Sequence, residues 1–516
     1  MAVSATNDSQ MQERVFAFLT DPANHSGVQR IDTHAASVFL EGNRALKIKR
    51  AVRFPFLDYS TLERRKAACE DEVRINRQFA PQIYRGVLPI TQSADGSFSL
   101  GGNGTPVEYA IDMTRFDERR TIDHIARAGP LDPGLVDAIA DAIAASHLAA
   151  PRVGMDSWLQ SIPKIINDNT DALRAAAFFS ADGIEELGTA SHTAFSRVRP
   201  LLEQRGSQGH VRRCHGDLHL ANIVVIEEKP VLFDAIEFDE KIASIDVLYD
   251  LAFPLMDFLR YGRREAANGL LNHYLSITPV EHLDALSALP LLMSIRAAIR
   301  AHVLLARIDR AVSQRATIIE DARAYFDLAK RLIHPRPPLL IAVGGLSGTG
   351  KSVLARSLAP HIMPEPGAVV LRSDALRKQL FGVAETVRLP DSAYRPEASG
   401  QVYDILAQRA GHVTAQRHSA IVDAVFAREA ERSALLDVAR RSHTRFIGLF
   451  LVADLKTRQN RVAQRAADAS DATAEVARLQ EDYNIGTVDW AIIDASGTPE
   501  ATLRECQARI VAFESA

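Results

Sequence analysis

Two stretches of this 516-residue chain space their side chains in ways that suit phosphoryl transfer. The first is Gly345-Leu346-Ser347-Gly348-Thr349-Gly350-Lys351-Ser352, which satisfies G-x-x-x-x-G-K-[ST] in full. In such a loop the glycines let backbone N–H groups close around phosphates. Lys351 reaches the β- and γ-phosphates, Ser352 offers a hydroxyl to Mg2+, and the following helix points its positive end inward. The second stretch is His215-Gly216-Asp217-Leu218-His219-Leu220-Ala221-Asn222. Transfer to a hydroxyl needs an Asp to orient the attacking oxygen and, a few residues on, an Asn to hold a metal; protein kinases use H-R-D-x-x-x-x-N at this spacing. Asp217 and Asn222 reproduce it, and Leu232-Phe233-Asp234 supplies the second metal carboxylate in place of D-F-G.

The second half offers further candidates. Ser373-Asp374-Ala375-Leu376-Arg377 follows an apolar run, which puts Asp374 and Arg377 where an open α/β sheet binds ligands. A carboxylate there can take the proton of an acceptor hydroxyl, and an arginine one turn on can hold the acceptor's phosphate or carboxylate. The same residues would also make an ordinary helix start with a surface arginine. Asp423 closes Ala420-Ile421-Val422-Asp423, as a metal-side or acceptor-side carboxylate would. Arg458, Arg461 and Arg465 recur at three and four and share a helix face, as in a lid that closes on phosphates; plain solvation is the other use of such a face.

These residues need elements to hold them. Ala35–Leu40 and Ala45–Lys49 read as strands flanking Gly42-Asn43, a turn pair that tolerates positive φ. Ser60-Thr61-Leu62-Glu63 opens a helix like a capping box, and that helix runs to about Phe79, before Pro81. A strand is expected at Glu108–Met113. Strands first and helices later is α+β order. Residues 263–333 read as helices, with apolar residues at three and four. His334-Pro335-Arg336-Pro337-Pro338 then forms a short semi-rigid spacer. Beyond it, strands at 339–343, 368–372, 419–423, 446–452 and 490–494 alternate with helices, which predicts a parallel sheet. The spacing thus divides the chain into residues 1–333, with lobes of about 1–113 and 114–333, a linker at 334–338, and residues 339–516.

Bulk properties narrow the setting. Apolar content of 47% and charged content of 24% are ordinary for globular protein. The net charge of −4 argues against a general nucleic-acid binder. Cys69, Cys214 and Cys506 lie far apart with no metal-ligand spacing, which suits a reducing compartment. The opening MAVSATNDSQMQER has no apolar signal core. Asp250 and Asp257 interrupt one apolar run and Arg296, Arg300 and His302 another, so no membrane span is expected. A cytoplasmic protein is the expectation.

His215–Asn222, the following Asp234 and Tyr249-Asp250-Leu251-Ala252 resemble the aminoglycoside phosphotransferase and choline kinase-like family. The resemblance implies an α+β protein-kinase-like fold, with Asp217 as catalytic base, Asn222 and Asp234 as Mg2+ ligands, Asp250 in support and His215 bracing the loop. It also implies a strand lysine for the α/β-phosphates and a helix glutamate paired with it. Ala45-Leu46-Lys47-Ile48-Lys49 is that strand. Lys47 and Lys49 share a face by period two; Lys47 is favoured because it follows two apolar residues. Glu72 is the expected partner and Glu70 the alternative. No G-x-G-x-x-G precedes Lys47, so other donors, Ser37 among them, would have to cover the phosphates.

Residues 339–516 resemble small P-loop kinases of the nucleoside/gluconate kinase and zeta-toxin/polynucleotide kinase group. Within that group they are most like AAA-type kinases with an Asp-Ala-Ser-Asp-Ala lid segment, here Asp468-Ala469-Ser470-Asp471-Ala472. This implies an α/β P-loop NTPase fold that uses ATP and Mg2+ to phosphorylate a hydroxyl. The order of the two modules resembles bacterial fusion proteins that join an aminoglycoside phosphotransferase-like domain to a P-loop kinase. The expected partner is a small hydroxyl-bearing acceptor. Two other readings stay open: a nucleotide-sensing first domain that regulates the second, and a 5′-hydroxyl nucleic-acid kinase, which the acidic balance opposes.

Overall fold

Gly42 takes a φ of 51°, where an added Cβ would meet open space, and so closes the first hairpin. The computed structural model describes residues 2–54, 57–306, 308, 314–464 and 469–515. Strands β1 (Gln29–Asp32), β2 (Ala36–Glu41), β3 (Arg44–Lys49), β4 (Tyr84–Gln92), β5 (Phe98–Leu100) and β6 (Thr105–Thr114) form an antiparallel sheet, ordered β1-β2-β3-β6-β4-β5. Helix α1 (Ala2–Thr20) packs Val15, Phe16 and Leu19 on one sheet face against Phe39, Leu46 and Ile48. By strand alternation Lys47 and Lys49 point to the opposite face, where α2 (Leu62–Asn76) sets Cys69 and Val73 against Tyr84 and Ile111.

Two local details differ from expectation. The cap of α2 is Thr61, whose hydroxyl accepts from Arg64 N–H at 3.4 Å; Ser60 is unavailable because its hydroxyl donates to Asp58 at 2.6 Å. The helix stops at Asn76, whose side chain is engaged elsewhere, as described below.

The chain groups into two compact units, residues 1–162 with 203–257, and 163–202 with 258–516. In the first, α3 (Pro133–Ala149) and the hairpin β7 (Ile223–Ile226) and β8 (Lys229–Leu232) lie beyond the sheet in sequence, and α4 (Val247–Arg260) begins at its end. The second unit contains α5 (Arg264–Ile277), α6 (Leu289–Leu305) and α7 (Arg315–Ile333) together with a five-stranded sheet. Residues 280–305 are long and apolar enough to cross a membrane by composition, with mean hydropathy 1.5, yet 67% of that window is buried inside the fold.

The strands of that sheet are β9 (Leu339–Gly345), β10 (Val369–Arg372), β11 (Ala420–Asp423), β12 (Arg445–Val452) and β13 (Ala491–Asp494). All pairings are parallel, in the order β10-β11-β9-β12-β13. Every residue of β9 is buried, which explains its unbroken apolar run. Ile341 and Val343 join Leu354 and Leu358 of α8 (Lys351–Leu358) in the core. The outer strand β10 has its edge groups covered: Asn268 and Asn272 of α5 donate to Ala368 O at 3.0 and 3.1 Å, and Asn272 Oδ1 accepts from Val370 N–H at 2.7 Å. Helices α9 (Ser373–Leu380), α10 (Pro396–Ala415), α11 (Leu455–Ala463), α12 (Ala474–Leu479) and α13 (Pro499–Ser515) also belong to the unit.

Candidate active sites

In the first unit both lysines of β3 reach Glu72, whose side chain is fully buried. Lys47 Nζ lies 2.8 Å from Glu72 Oε1 and 2.7 Å from Asp234 Oδ1. Lys49 Nζ pairs with the other Glu72 oxygen and, at 2.5 Å, with Glu237 Oε1. Lys47 therefore bridges Glu72 and Asp234, whereas Lys49 is held by Glu72 and Glu237. Glu70 faces outward to Lys66 at 3.6 Å. Burial disfavours the charged form of Lys47, but Asp234 and Glu72 outweigh it and its pKa is raised. Burial likewise pushes Asp234 up, yet the Lys47 charge and hydrogen bond hold its carboxyl at about 2. Ser37 is not directed at this cluster; its hydroxyl donates to Asp32 at 2.7 Å.

Asp234 sits at φ 60°, a left-handed conformation unusual for a side-chain-bearing residue. Its neighbours fix it there. Asp234 N–H donates to Tyr84 Oη at 3.2 Å, and Asn76 clamps the next residue, accepting from Ala235 N–H at 2.7 Å and donating to Ala235 O at 3.1 Å.

The Asp217 loop is braced from beneath. Asp250 accepts from the N–H groups of His215 and Gly216 at 3.1 and 3.0 Å, with His147 Nε2 3.3 Å from the same carboxylate. His215 Nε2 lies 2.9 Å from Phe233 O and so carries the proton, while burial keeps its pKa below the ordinary value. This contact and the bond from Phe233 N–H to Asn222 O at 3.0 Å tie the Asp217 loop to the residue before Asp234. Asn222 Nδ2 donates to Asp217 O at 2.9 Å, which leaves its amide oxygen available. His219 Nε2 lies 3.6 Å from Asp217 Oδ2. Asn222 and Asp234 offer the hard oxygen donors that Mg2+ takes, and in this respect they fit the metal.

The second site stands at the carboxyl end of β9. Gly350 has φ 96° and an added Cβ there would point into open space, while a Cβ on Gly348 would come within 2.5 Å of Arg458 O. The loop thus needs glycine at one position for its backbone and at the other for room. Lys351 and Ser352 begin α8, whose first N–H groups have no helical partner. Lys351 Nζ lies 3.2 Å from Leu346 O. Gln480 grips the loop through Ser347, accepting from its N–H at 2.7 Å and donating to its hydroxyl at 3.0 Å.

Arg458 and Arg461 approach the loop's backbone carbonyls. Arg458 Nε donates to Ser347 O at 2.9 Å and its Nη2 to Ala477 O at 2.8 Å; it also pairs with Glu481. Arg461 donates to Thr349 O at 3.5 Å and Gly497 O at 2.7 Å. Arg465 lies outside the described residues.

Strand register sets Asp423 beside both Val343 and Arg372, whose Nε is 3.5 Å from the Asp423 carboxylate. Burial raises the pKa of Asp374; a hydrogen bond from Ser470 lowers it, Asp423 raises it again, and the charges of Lys351 and Arg372 lower it. Asp423, Lys351 and Arg372 thus all act on the Asp374 carboxylate. Arg377 is buried one turn on, donating to Ala393 O at 2.5 Å with its guanidinium 4.8 Å from the Tyr394 ring.

Residues 37–289 match the model of the phosphotransferase enzyme family, and residues 340–483 match that of an AAA domain. Uncharacterised proteins of Mycobacterium tuberculosis and Mycobacterium bovis are 28% identical over 468 residues, spanning 88% of this chain and 90% of theirs. Among solved structures, a choline/ethanolamine kinase family protein from Mesorhizobium loti is similar at 13% identity and TM-score 0.36, covering 63% of this chain and 99% of its own. A gluconokinase from Sinorhizobium meliloti is similar at 20% identity and TM-score 0.25, covering 35% and 99%. The chain is a two-domain fusion of a phosphotransferase-family domain with an AAA-type P-loop domain, and is a phosphotransferase by class.

Proposed function

We propose that each domain holds its own ATP and Mg2+, and that each transfers the γ-phosphoryl group to a hydroxyl of a small molecule. The observation that carries the reading is that two separate sites each bring a lysine to carboxylates: Lys47 pairs with Glu72 and Asp234, and the Lys351 charge acts on Asp374 at the end of the 345–352 loop. The boundary between the two functions is taken at the proline-rich residues 334–338.

In the first domain Lys47 binds the α/β-phosphates, Asn222 and Asp234 hold metal, and Asp217 takes the proton of the attacking hydroxyl. In the second, residues 345–352 cradle the phosphates and Lys351 neutralises charge as it develops. Ser352 and Asp423 hold metal, Asp374 takes the acceptor proton, and Arg377 favours an anionic acceptor. When bound by these residues, Mg2+ would supply charge neutralisation at each site. Arg458 and Arg461 hold the loop in shape through its carbonyls. Three buried free cysteines suit a cytoplasmic setting.

The test is incubation of the full-length protein with γ-labelled ATP, Mg2+ and a metabolite extract, with products identified by mass spectrometry. The reading expects labelled small molecules that fall into two groups, one lost in Asp217→Asn and the other in Lys351→Ala. If no product responds to either change, the reading fails.

A further inference from the structure

Every polar group of Ser347 is committed except its hydroxyl proton. Its N–H donates to Gln480 Oε1 at 2.7 Å, its carbonyl accepts from Arg458 Nε at 2.9 Å, and its hydroxyl oxygen accepts from Gln480 Nε2 at 3.0 Å. An N–H can only donate, so the Gln480 amide oxygen must face it, and the amide NH2 is left for the hydroxyl. Ser347 Oγ is therefore an acceptor towards Gln480, and its own proton has no partner among the described residues. Thr349 differs, because its hydroxyl donates to Leu346 O at 2.8 Å. Gln480 lies far from the loop in sequence. It opens the 3-10 turn Gln480–Asp482 after α12 and is 6% exposed. Arg458 fixes its approach, since the same guanidinium that holds Ser347 O also donates to Ala477 O at 2.8 Å.

The peptide unit that joins Leu346 to Ser347 is held at both ends, its carbonyl 3.2 Å from Lys351 Nζ and its N–H on Gln480. Lys351 is the group that reaches the β- and γ-phosphates, so Ser347 stands beside that reach and away from the N–H groups that open α8. We propose that Ser347 donates its hydroxyl proton to a γ-phosphate oxygen of the bound nucleotide, and that Gln480 is the positioning residue that makes it a donor. The proposal rests on the reading of residues 345–352 as the phosphate cradle. Gln480 acts on Ser347 in two ways. By occupying the N–H it leaves the hydroxyl as the group this residue offers to phosphate. By donating to Oγ it removes itself as a rival acceptor for the hydroxyl proton. The bond formed is charge-assisted and exists only when a γ-phosphate is present, so it separates ATP from ADP.

The experiment is calorimetric titration of the full-length protein with Mg2+ and either a non-hydrolysable ATP analogue or ADP. An Asn222→Ala, Asp234→Ala background lets the Lys351-dependent event report alone. Ser347→Ala should weaken the analogue about tenfold or more, as for loss of a hydrogen bond to a charged group, and leave ADP within about twofold. Gln480→Met should do the same, and the double variant should lose no more than either single one, because both remove one bond. Should Gln480→Met not fold, Gln480→Glu keeps the bond to Ser347 N–H but draws the hydroxyl proton to itself. Its loss of analogue affinity should shrink in the Ser347→Ala background, where plain charge repulsion would persist. Unchanged analogue binding in Ser347→Ala, equal weakening of analogue and ADP, tighter analogue binding in Gln480→Met, or losses that multiply in the double variant each overturn the proposal. All four leave the proposed function standing. If the background protein binds neither nucleotide in a Lys351-dependent way, the reading of the loop as a phosphate cradle falls, and this inference with it.

Discussion

Replacing Lys49 by methionine separates two lysines that strand spacing leaves equivalent. Lys49 pairs with Glu72 and Glu237, whose side chains are 0% and 8% exposed. Removing one partner of a buried ion pair costs about 3–5 kcal/mol. Glu72 keeps Lys47, and Tyr59 Oη lies 3.4 Å from Glu237, so the lower end, about 3 kcal/mol, is expected. The first unit has 217 residues. At this size about 1 kcal/mol shifts Tm by about 2–4 °C, giving a fall of about 6–12 °C. Lys47→Met should behave differently. Asp234 is 43% exposed, so water screens it and the cost is about 1 kcal/mol or less. Transfer at the first site should nonetheless fall by about a hundredfold or more, as for loss of a transition-state donor. The chain has two tryptophans, Trp158 and Trp490, so a Trp490→Phe background lets Trp158 fluorescence report the first unit alone. If Lys49→Met melts like its parent but loses nucleotide, while Lys47→Met binds normally, the assignment of the two lysines is reversed.

Other expectations follow from single contacts. Asp217→Asn should retain ATP affinity while abolishing one transfer reaction, since the base acts on the acceptor and not on the nucleotide; a rise of more than tenfold in ATP Kd would contradict this. Arg458→Ala should weaken ATP binding at the second site and lower its Tm, because the buried guanidinium holds Ser347 O and Ala477 O; unchanged affinity would show that the loop keeps its shape unaided. Burial lowers the His418 pKa from 6.5 to about 4, partly offset by its hydrogen bond to Gly367 O. The unfolded chain then binds more protons between those values, so stability should fall by about 3 kcal/mol as pH drops from 6.5 to 4. His418→Gln, which can still donate to Gly367 O, should flatten urea-derived stability across that window; an unchanged slope would mean His418 does not carry it.

The second sheet was the most legible part of the sequence. Strands such as Leu339–Gly345 are buried on both faces and read as unbroken apolar runs between helical stretches. The first hairpin was legible through Gly42-Asn43. In contrast, α1 shows few apolar residues before Val15, and only packing on the sheet makes its role visible. Strand β4 contains Gly86 and Pro89, which argue against a strand; it persists through register shifts at Tyr84/Gly86 and Ile90/Thr91. At the sites, residue type and order pointed to Asp217, Asn222, Asp234 and the 345–352 loop. Partners far apart in sequence were not readable. Glu237 meets Lys49 across 188 residues. Spacing placed Arg458 and Arg461 on one helix face but could not show that this face meets loop carbonyls.

The central claim is that one chain holds two nucleotide sites, and calorimetric titration of the full-length protein with a non-hydrolysable ATP analogue and Mg2+ tests it most directly. The account predicts two molecules bound per chain. Asn222→Ala combined with Asp234→Ala should remove one, and Lys351→Ala should weaken the other, each without affecting its counterpart. A single binding event that is insensitive to Asn222 and Asp234 would contradict the account and leave the first domain without a nucleotide.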